Sequence, residues 1–220
     1  AVGEIKVVFS AEDLESYELL IVNFDNLIGD FDESLFVAYD EEGNKILERR
    51  NDSGAKVKGI NLEGKIIPHR DVQIQLGISL QQNKYNRPQS WSDDPDTKKT
   101  REMLRSPNRY GYFTFFTSPF KKFGISASGT YTGSMYVPHM AGYIEKDKLE
   151  KSGDFFDTNI KLNYDFTISG NYILQLNCGI QNIFQSYQKD FDRGEFRDAG
   201  YIYGPGLPRS WFAGIKLSLN

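Results

Sequence analysis

The sequence has few of the residues that build metal and cofactor sites. It contains one cysteine, Cys178, and two histidines, His69 and His139, in 220 residues. A single cysteine excludes a disulfide within the chain, and the lack of a Cys/His cluster argues against a metal site. The spacing supports no catalytic triad, phosphate-binding glycine loop or catalytic carboxylate pair. We therefore expect no catalytic residue, no cofactor and no enzymatic activity.

Charge and hydropathy exclude two further classes. The net charge is −4 and no basic block stands out, which argues against nucleic acid as a partner. No run of about 18 apolar residues is present, which excludes a transmembrane helix but not a barrel, whose strands alternate in polarity. The chain begins at Ala1 without a signal peptide, so we expect a processed or truncated product.

What the sequence does have is an apolar–polar alternation with a period of two. From Phe156 to Thr167, apolar or aromatic residues take nearly every even position, and polar or charged residues take every odd one. A strand separates these two sets onto opposite faces, whereas a helix would mix them. The predicted strands are 55–67, 72–84, 108–117, 123–135, 153–167, 172–184 and 210–219, with weaker candidates at 4–9, 17–24 and 27–38.

The connections between these strands alternate in length. Short turns are predicted at 68–71, 118–122 and 168–171, and long loops at 85–107, 136–152 and 185–209. Short turns on one side and long loops on the other are the layout of outer-membrane barrels. Upstream, the same alternation predicts a short turn at Asp25-Asn26. A long excursion at 39–54 follows, interpreted as a hairpin with its turn at Glu41 to Asn44.

Strand length and the polar face favour a wide barrel. Strands of ten or more residues exceed the globular mean of about 5–6 and match the roughly 9–11 that cross a bilayer. Polar residues such as Gln73, Asn163 and Gln175 can face a wide lumen or a plug. We predict an all-β fold, an antiparallel up-and-down meander of about ten long strands, as part of a larger transmembrane β-barrel of about 22 strands.

Several short motifs carry a resemblance to a known family. The most specific are Gln181-Asn182-Ile183-Phe184, the run Asp198 to Pro205, and the closing Pro208-Arg209-Ser210-Trp211-Phe212-Ala213-Gly214, with weaker motifs within 51–63, 105–113 and 129–135. In this order and spacing, the last two-thirds of the chain resembles the C-terminal end of TonB-dependent receptors of Bacteroidetes type. The resemblance implies that residues 1–220 are the C-terminal part of such a receptor's barrel domain, without the plug and the first half of the barrel.

The resemblance also implies a function and a location. It implies uptake across the outer membrane of a Gram-negative cell of a nutrient such as a ferric siderophore, cobalamin or glycan. The partners would be outer-membrane lipid, the plug domain, the remaining barrel strands, the TonB system and a small-molecule or glycan ligand. The chain departs from the family in lacking a plug and a TonB box and in ending on Leu219-Asn220. We therefore expect that this piece alone transports nothing.

Two groups of residues are candidates for function. The ligand candidates in the long loops are Trp91, Arg101, Arg105, Tyr136, His139 and Tyr187. The second group surrounds one short turn and is interpreted as an aromatic girdle at the membrane interface, with a soluble hydrophobic core as the alternative. Its members are Tyr112, Phe113, Phe115, Phe116, Phe120 and Phe123. We do not expect His69 and His139 to bind a metal, and we interpret both as ordinary surface residues. The acidic stretch 92–96 is interpreted as a solvated loop.

Two alternatives remain beside the transporter. The first is a soluble all-β ligand-binding or adhesion module with its faces packed as a sandwich, and the second is an enzyme. A piece of a larger barrel would have unpaired edges near 4–9 and 210–219, which lipid does not tolerate. We therefore expect the piece to be excised from a longer chain, completed by a missing part, or self-associated.

Overall fold

The computed structural model describes residues 2–11, 14–28, 32–42, 45–51, 54–169 and 172–219. Nine strands follow one another across a single sheet, each antiparallel to the next, and a tenth, short strand joins its side. The nine are β1 Val2–Ala11, β2 Leu14–Ile28, β5 Ala55–His69, β6 Val72–Gln89, β8 Arg109–Phe120, β9 Phe123–Thr132, β12 Phe155–Ser169, β13 Tyr172–Gln181 and β14 Ser210–Leu219. The tenth is β7 Thr100–Glu102, which pairs with β6. The expectation of an all-β meander of about ten strands is confirmed.

Two small hairpins lie in the connections between these strands. β3 Asp32–Tyr39 pairs with β4 Lys45–Asn51, and β10 Tyr136–His139 pairs with β11 Lys148–Lys151. The hairpin predicted within 39–54 is therefore present, although its first strand begins earlier. Gly43 and Asn44 of its predicted turn lie outside the described residues.

The predicted turn at Asp25-Asn26 is wrong. β2 continues through both residues, with Asp25 opposite Lys58 and Asn26 opposite Val57. The dipeptide has no glycine to supply the positive φ that a two-residue hairpin turn prefers, and β5 offers ladder partners along this whole length. The predicted strand 27–38 is accordingly split between the end of β2 and the separate strand β3.

Prolines mark the ends of two long strands next to short turns. Pro68 lies in β5 where the register with β6 shifts between Ile66 and His69. Pro119 lies in β8, where the register with β9 shifts between Thr117 and Phe120. Proline cannot donate to a ladder and is tolerated at such irregularities, so β5 ends two residues later and β8 three residues later than the alternation predicts.

The strand register places apolar residues on one face of the sheet and polar residues on the opposite face. One row across the sheet joins Ile74, Phe115, Ala127, Ile160, Ile180 and Trp211. The neighbouring row, on the opposite face, joins Gln75, Thr114, Ser128 and Asn159. Because side chains alternate between faces, matched registers keep the apolar face apolar across every described strand pair of this region.

The apolar face is exposed. Leu76 is 52% accessible and Ile215 is 75% accessible, and the same face exposes further large apolar side chains on β5, β12 and β14. On the opposite face, Gln75 Nε2 donates to the Tyr112 hydroxyl at 3.0 Å and Gln175 Nε2 donates to Asp165 Oδ1 at 2.7 Å. Cys178, the single cysteine, is exposed on the apolar face. This distribution is the reverse of a soluble sheet that packs its apolar face inward.

Candidate functional site

The three best-described long connections meet at one end of the sheet. They are loop A, residues 90–108, loop B, residues 133–154, and loop C, residues 182–209. The connections at the other end are short, such as Arg70-Asp71 and Lys121-Lys122. In an antiparallel meander alternate connections fall on the same side, so the strands themselves bring the three loops together.

A buried contact between a histidine and an aspartate joins loop B to loop C. His139 Nε2 lies 2.9 Å from Asp192 Oδ2, and the two side chains are 7% and 3% accessible. The imidazole stacks on the Tyr201 ring, with centroids 3.7 Å apart and planes 7° apart. Asp192 Oδ2 also accepts from the backbone N–H of Asp198 at 2.9 Å. His139 is therefore a buried structural residue, and the expectation of an ordinary surface histidine is wrong at this position.

Two tyrosines share a carboxylate beside this pair. Tyr201 donates to Asp190 Oδ2 at 3.0 Å, and Tyr203 donates to the same carboxylate at 2.7 Å. Burial, helped by the carboxylate, raises the pKa of Tyr201, and the same causes raise the pKa of Tyr203 to about 12. Burial opposes ionisation of Asp190, but the two hydroxyl donors outweigh it and lower the pKa of that carboxyl. Both hydroxyls therefore stay protonated as donors at neutral pH.

A small apolar core underlies these polar contacts. Met135 and Val137 of loop B pack with Tyr201 of loop C, and Tyr203 covers them. Val137 is fully buried. Gln188 is buried as well, and its Nε2 donates to Tyr201 O at 3.0 Å. Loops B and C are therefore held by apolar burial as well as by hydrogen bonds.

Arg105 joins loop A to both other loops. Its Nη1 donates to Ile202 O at 2.7 Å and its Nη2 to Gly200 O, both in loop C. Its backbone N–H donates to Tyr136 O in loop B at 2.8 Å. Arg105 has a φ of 54°, in the left-handed region that non-glycine residues rarely adopt. This conformation lets one residue direct its backbone and its side chain to two different loops.

Residues of the motifs behind the family resemblance make contacts within and between the loops. Asn182 Nδ2 donates to Leu207 O at 2.8 Å, and Asn182 Oδ1 accepts from Ser186 N at 2.8 Å. Arg105 of one motif contacts Gly200 and Ile202 of another. Motif residues therefore connect loop A to loop C and join the two ends of loop C.

Loop A and loop B line an open cavity of about 550 Å³. Trp91 and Tyr136 are both in its lining, so the structure brings two of the ligand candidates to one place. Two contacts join the walls: the Ser92 hydroxyl donates to Asp147, and Arg105 N donates to Tyr136 O. The Ser92 hydroxyl, followed by the Ala141 N–H, lowers the pKa of Asp147 and keeps it ionised.

The other ligand candidates are placed apart from this cavity. Arg101 Nε donates to Tyr85 O at 3.1 Å, and Lys189 Nζ lies 5.7 Å from the centroid of the Tyr187 ring. Neither Arg101 nor Tyr187 lines the cavity between loops A and B. Arg105 and His139 connect loops, through Nη1 and Nη2 of Arg105 and through Nε2 of His139.

The aromatic residues near the Lys121-Lys122 turn divide between the two faces. Phe113, Phe115 and Phe123 lie in apolar rows, whereas Tyr112 and Phe116 lie in polar rows. Phe120, at the turn itself, is 71% exposed. The aromatic girdle at the membrane interface therefore remains a prediction for Phe113, Phe115 and Phe123 on the apolar face and for Phe120.

The residues that the sequence did not reveal are carboxylates and tyrosines of loop C. Asp192, Tyr201 and Tyr203 contact loop B, and Asp190 accepts from both tyrosines within loop C, yet loop C has no periodicity to mark them. The available signal is the recurrence of Asp and Tyr across residues 187–203. In the described ranges, no group of three or more His, Cys, Asp or Glu residues could hold a metal ion, and no helix is long and apolar enough to span a membrane.

Comparison with known proteins gives a match in structure alone. No family model and no curated protein sequence matches the chain. The ferric-catecholate import receptor Fiu of E. coli K12 superposes with a TM-score of 0.62 and 17% identity over 96% of the chain. The siderophore receptor PirA of Acinetobacter baumannii superposes with a TM-score of 0.55 and 15% identity over 97%. The chain spans 26% and 31% of the lengths of these receptors, so its fold is similar to part of such a receptor's barrel.

Proposed function

We propose that the chain is the C-terminal part of the barrel domain of an outer-membrane TonB-dependent receptor. The whole receptor would import a nutrient such as a ferric siderophore, cobalamin or glycan. Loops A, B and C would face the outside of the cell and form part of the ligand mouth. The remaining strands would close the barrel at β1 and β14, which in the described part of the chain pair only with β2 and β13.

The observation that carries this proposal is the exposed apolar face of the sheet. Leu76, Ile78 and Leu80 follow one another along β6 and are 52%, 48% and 45% accessible. Soluble proteins rarely expose contiguous apolar patches of more than a few hundred Å². A bilayer would cover this face without any protein partner, and the complete ladders leave few strand groups unsatisfied in lipid.

The distribution of buried residues argues against a soluble all-β binding or adhesion module. Such a module would bury one face of its sheet to make a core. Among residues 39–42, 54–168 and 172–219, the buried apolar residues are Ala55, Met135, Val137, Phe155 and Tyr201. Most of these lie in the loops or at strand ends, so the long strands from β5 onward contribute no packed interior of their own in these ranges.

The polar face supports a wide lumen. It carries a cavity of about 420 Å³ whose lining includes Gln73, Ser126 and Lys161. A plug domain, absent from this chain, would occupy that side, as the family resemblance implies. Energy would come from the TonB system through the missing N-terminal part. The similarity of fold to the ferric-catecholate import receptor Fiu and to the siderophore receptor PirA supports this assignment.

The test is the behaviour of the full-length gene product. Recovery from the outer membrane only with detergent is expected, together with a heat-dependent shift in electrophoretic mobility. A folded barrel resists unfolding by detergent at room temperature, so heated and unheated samples separate. Recovery as a soluble monomer without a shift would overturn the proposal in favour of the soluble module.

A further inference from the structure

The cavity between loops A and B has a composition that restricts its ligand. Its aromatic members, Trp91 and Tyr136, are partly accessible. Its charged members are four lysines and four carboxylates: Lys98, Lys99, Lys146, Lys148, Asp94, Asp96, Glu102 and Asp147. The lining is therefore close to neutral overall, with donors and acceptors side by side.

Ion pairs leave this balance unchanged. Lys148 pairs with Glu150 at 2.6 Å, and Glu102 pairs with Lys84 at 3.0 Å, so one lysine and one carboxylate of the lining are each matched by an outside group. Three lysines and three aspartates remain. A multiply charged anion such as a ferric catecholate would meet these carboxylates as well as the ammonium groups, and the repulsion would offset much of the attraction.

The donor and acceptor pattern matches a polyhydroxylated ligand. Lysine ammonium groups only donate hydrogen bonds and ionised carboxylates only accept them. A hydroxyl group does both, so a row of hydroxyls can pair with such a mixed lining without leaving either kind unsatisfied. A ligand with many hydroxyls and no net charge is the chemical class that this lining fits best.

The aromatic wall adds a surface for sugar rings. Trp91 Nε1 donates to Lys98 O at 3.0 Å, which fixes the indole and leaves its ring as the part available for contact. The face of an aromatic ring carries partial negative charge and attracts the partly positive C–H groups of a pyranose. Thr97, fixed by its hydroxyl bond to Asp94 O at 2.8 Å, holds the same loop in shape.

We propose that the cavity between loops A and B is a binding subsite for a neutral oligosaccharide, with Trp91 as the stacking platform. This inference rests on the proposed function, which supplies the outward orientation of the loops. The walls are joined by Ser92 to Asp147 and by Arg105 to Tyr136, so the subsite is formed before the ligand arrives. Preformed sites lose less ordering entropy on binding.

The experiment measures binding to the detergent-solubilised full-length receptor by titration calorimetry. The probes are neutral oligosaccharides of glucose, mannose, xylose and fructose, with ferric 2,3-dihydroxybenzoylserine and cyanocobalamin in parallel. At least one neutral oligosaccharide is expected to bind. Trp91→Ala is expected to weaken that binding by about tenfold or more, the effect of losing a central aromatic anchor.

Two further variants separate stacking from loop integrity. Trp91→Phe keeps a ring without the indole N–H and is expected to keep most of the affinity. Tyr143→Ala removes a 56% exposed aromatic residue of loop B that lies outside the cavity lining, and this variant is expected to bind nearly as well as the parent. A result in which no neutral oligosaccharide binds, or in which Trp91→Ala binds as well as the parent, overturns the subsite.

The fractionation test keeps the two proposals apart. An outer-membrane, heat-modifiable protein that binds only ferric 2,3-dihydroxybenzoylserine would retain the receptor and overturn the oligosaccharide subsite. A soluble monomer that binds an oligosaccharide through Trp91 would retain the subsite and overturn the receptor.

Discussion

The strands and the loop layer of this molecule distribute their apolar residues in opposite ways. Along β6, Leu76, Ile78 and Leu80 are about half accessible. In the loops, Met135, Val137 and Tyr201 are buried against each other. The long strand β6 therefore has an exposed apolar surface, and loops B and C contain the packed core.

This difference shows that the two regions are stabilised by different forces. The strands are held by continuous backbone ladders, and the surrounding medium must supply the favourable environment for their apolar face. Under the proposed function the loop layer would lie in water, where apolar burial and paired polar groups would stabilise it as in a soluble domain. A substitution that changes charge should therefore be costly on the apolar face of the strands or at a buried loop contact. It should be tolerated on the polar face and at exposed loop positions.

The largest effect is expected where the loop layer buries the contact between His139 and Asp192. His139→Ala removes both the ring that stacks on Tyr201 and the hydrogen bond to the buried Asp192, and should cost the loop contact about 3–5 kcal/mol. Hydrogen exchange should rise across 136–140 and 188–203 while the strand ladders keep their protection. His69→Ala is the matched control because its side chain is 62% accessible, and it should leave exchange unchanged. Equal effects of the two variants would refute a buried role for His139.

The next effect tests the exposed face of the strands. Leu76 lies at the middle of the segment of β6 that pairs with β8, so Leu76→Lys should cost about 2–4 kcal/mol at the centre of a bilayer. The measurement is the fraction of full-length protein that shows the heat-dependent mobility shift. Gln73→Lys places the same charge on the polar face of the same strand and should assemble normally. Normal assembly of Leu76→Lys would mean that this face does not meet lipid.

A smaller effect is expected at the junction of all three loops. Arg105→Ala removes the donors to Ile202 O and Gly200 O and should destabilise the closed loop layer by about 1.5–3 kcal/mol. Limited proteolysis of the receptor in detergent should then cut within 194–207 at a higher rate. Arg193→Ala, an exposed position of the same loop, serves as the control. An unchanged cleavage rate in Arg105→Ala would show that Arg105 does not stabilise the contact between loops A and C.

The smallest effect is a response to alkaline pH. The pKa of Tyr203 is raised from 10.0 to about 12, so the folded loop keeps this proton where the unfolded chain releases it. The contribution of this hydroxyl is therefore intact below about pH 10 and is lost as the pH rises through about 12. Tyrosinate absorbance and loop exchange measured together should show this loss, and Tyr203→Phe should reduce it. A loop layer that opens well below pH 10 would point to another group.

Much of the fold could be predicted from local pattern, and much of the site could not. The alternation from Phe156 to Thr167 predicted β12, and the lengths of the connections predicted which end of the sheet carries the loops. Asp25-Asn26 was mistaken for a turn because polar residues within a strand look the same as polar residues between strands. Only the ladder with β5 distinguishes the two cases.

The loop candidates illustrate the same limit. Trp91 and Tyr136 were identified as separate loop residues, and the structure shows them in one cavity. His139 was identified as a ligand candidate and as a surface residue, and neither description includes its partner Asp192 in another loop. Loop residues follow no repeat, so nothing in their spacing indicates which of them meet.

From β5 onward, the sequence alone determined the long strands, their faces and the alternation of short and long connections, because a period of two is a property of each segment by itself. Tertiary structure alone decided that His139 meets Asp192, that Arg105 reaches Gly200 and Ile202, and that Trp91 and Tyr136 line one cavity. These contacts join residues that are far apart in the chain. They exist only because the antiparallel strands deliver the ends of three loops to the same side of the sheet, where burial and hydrogen bonding select the partners.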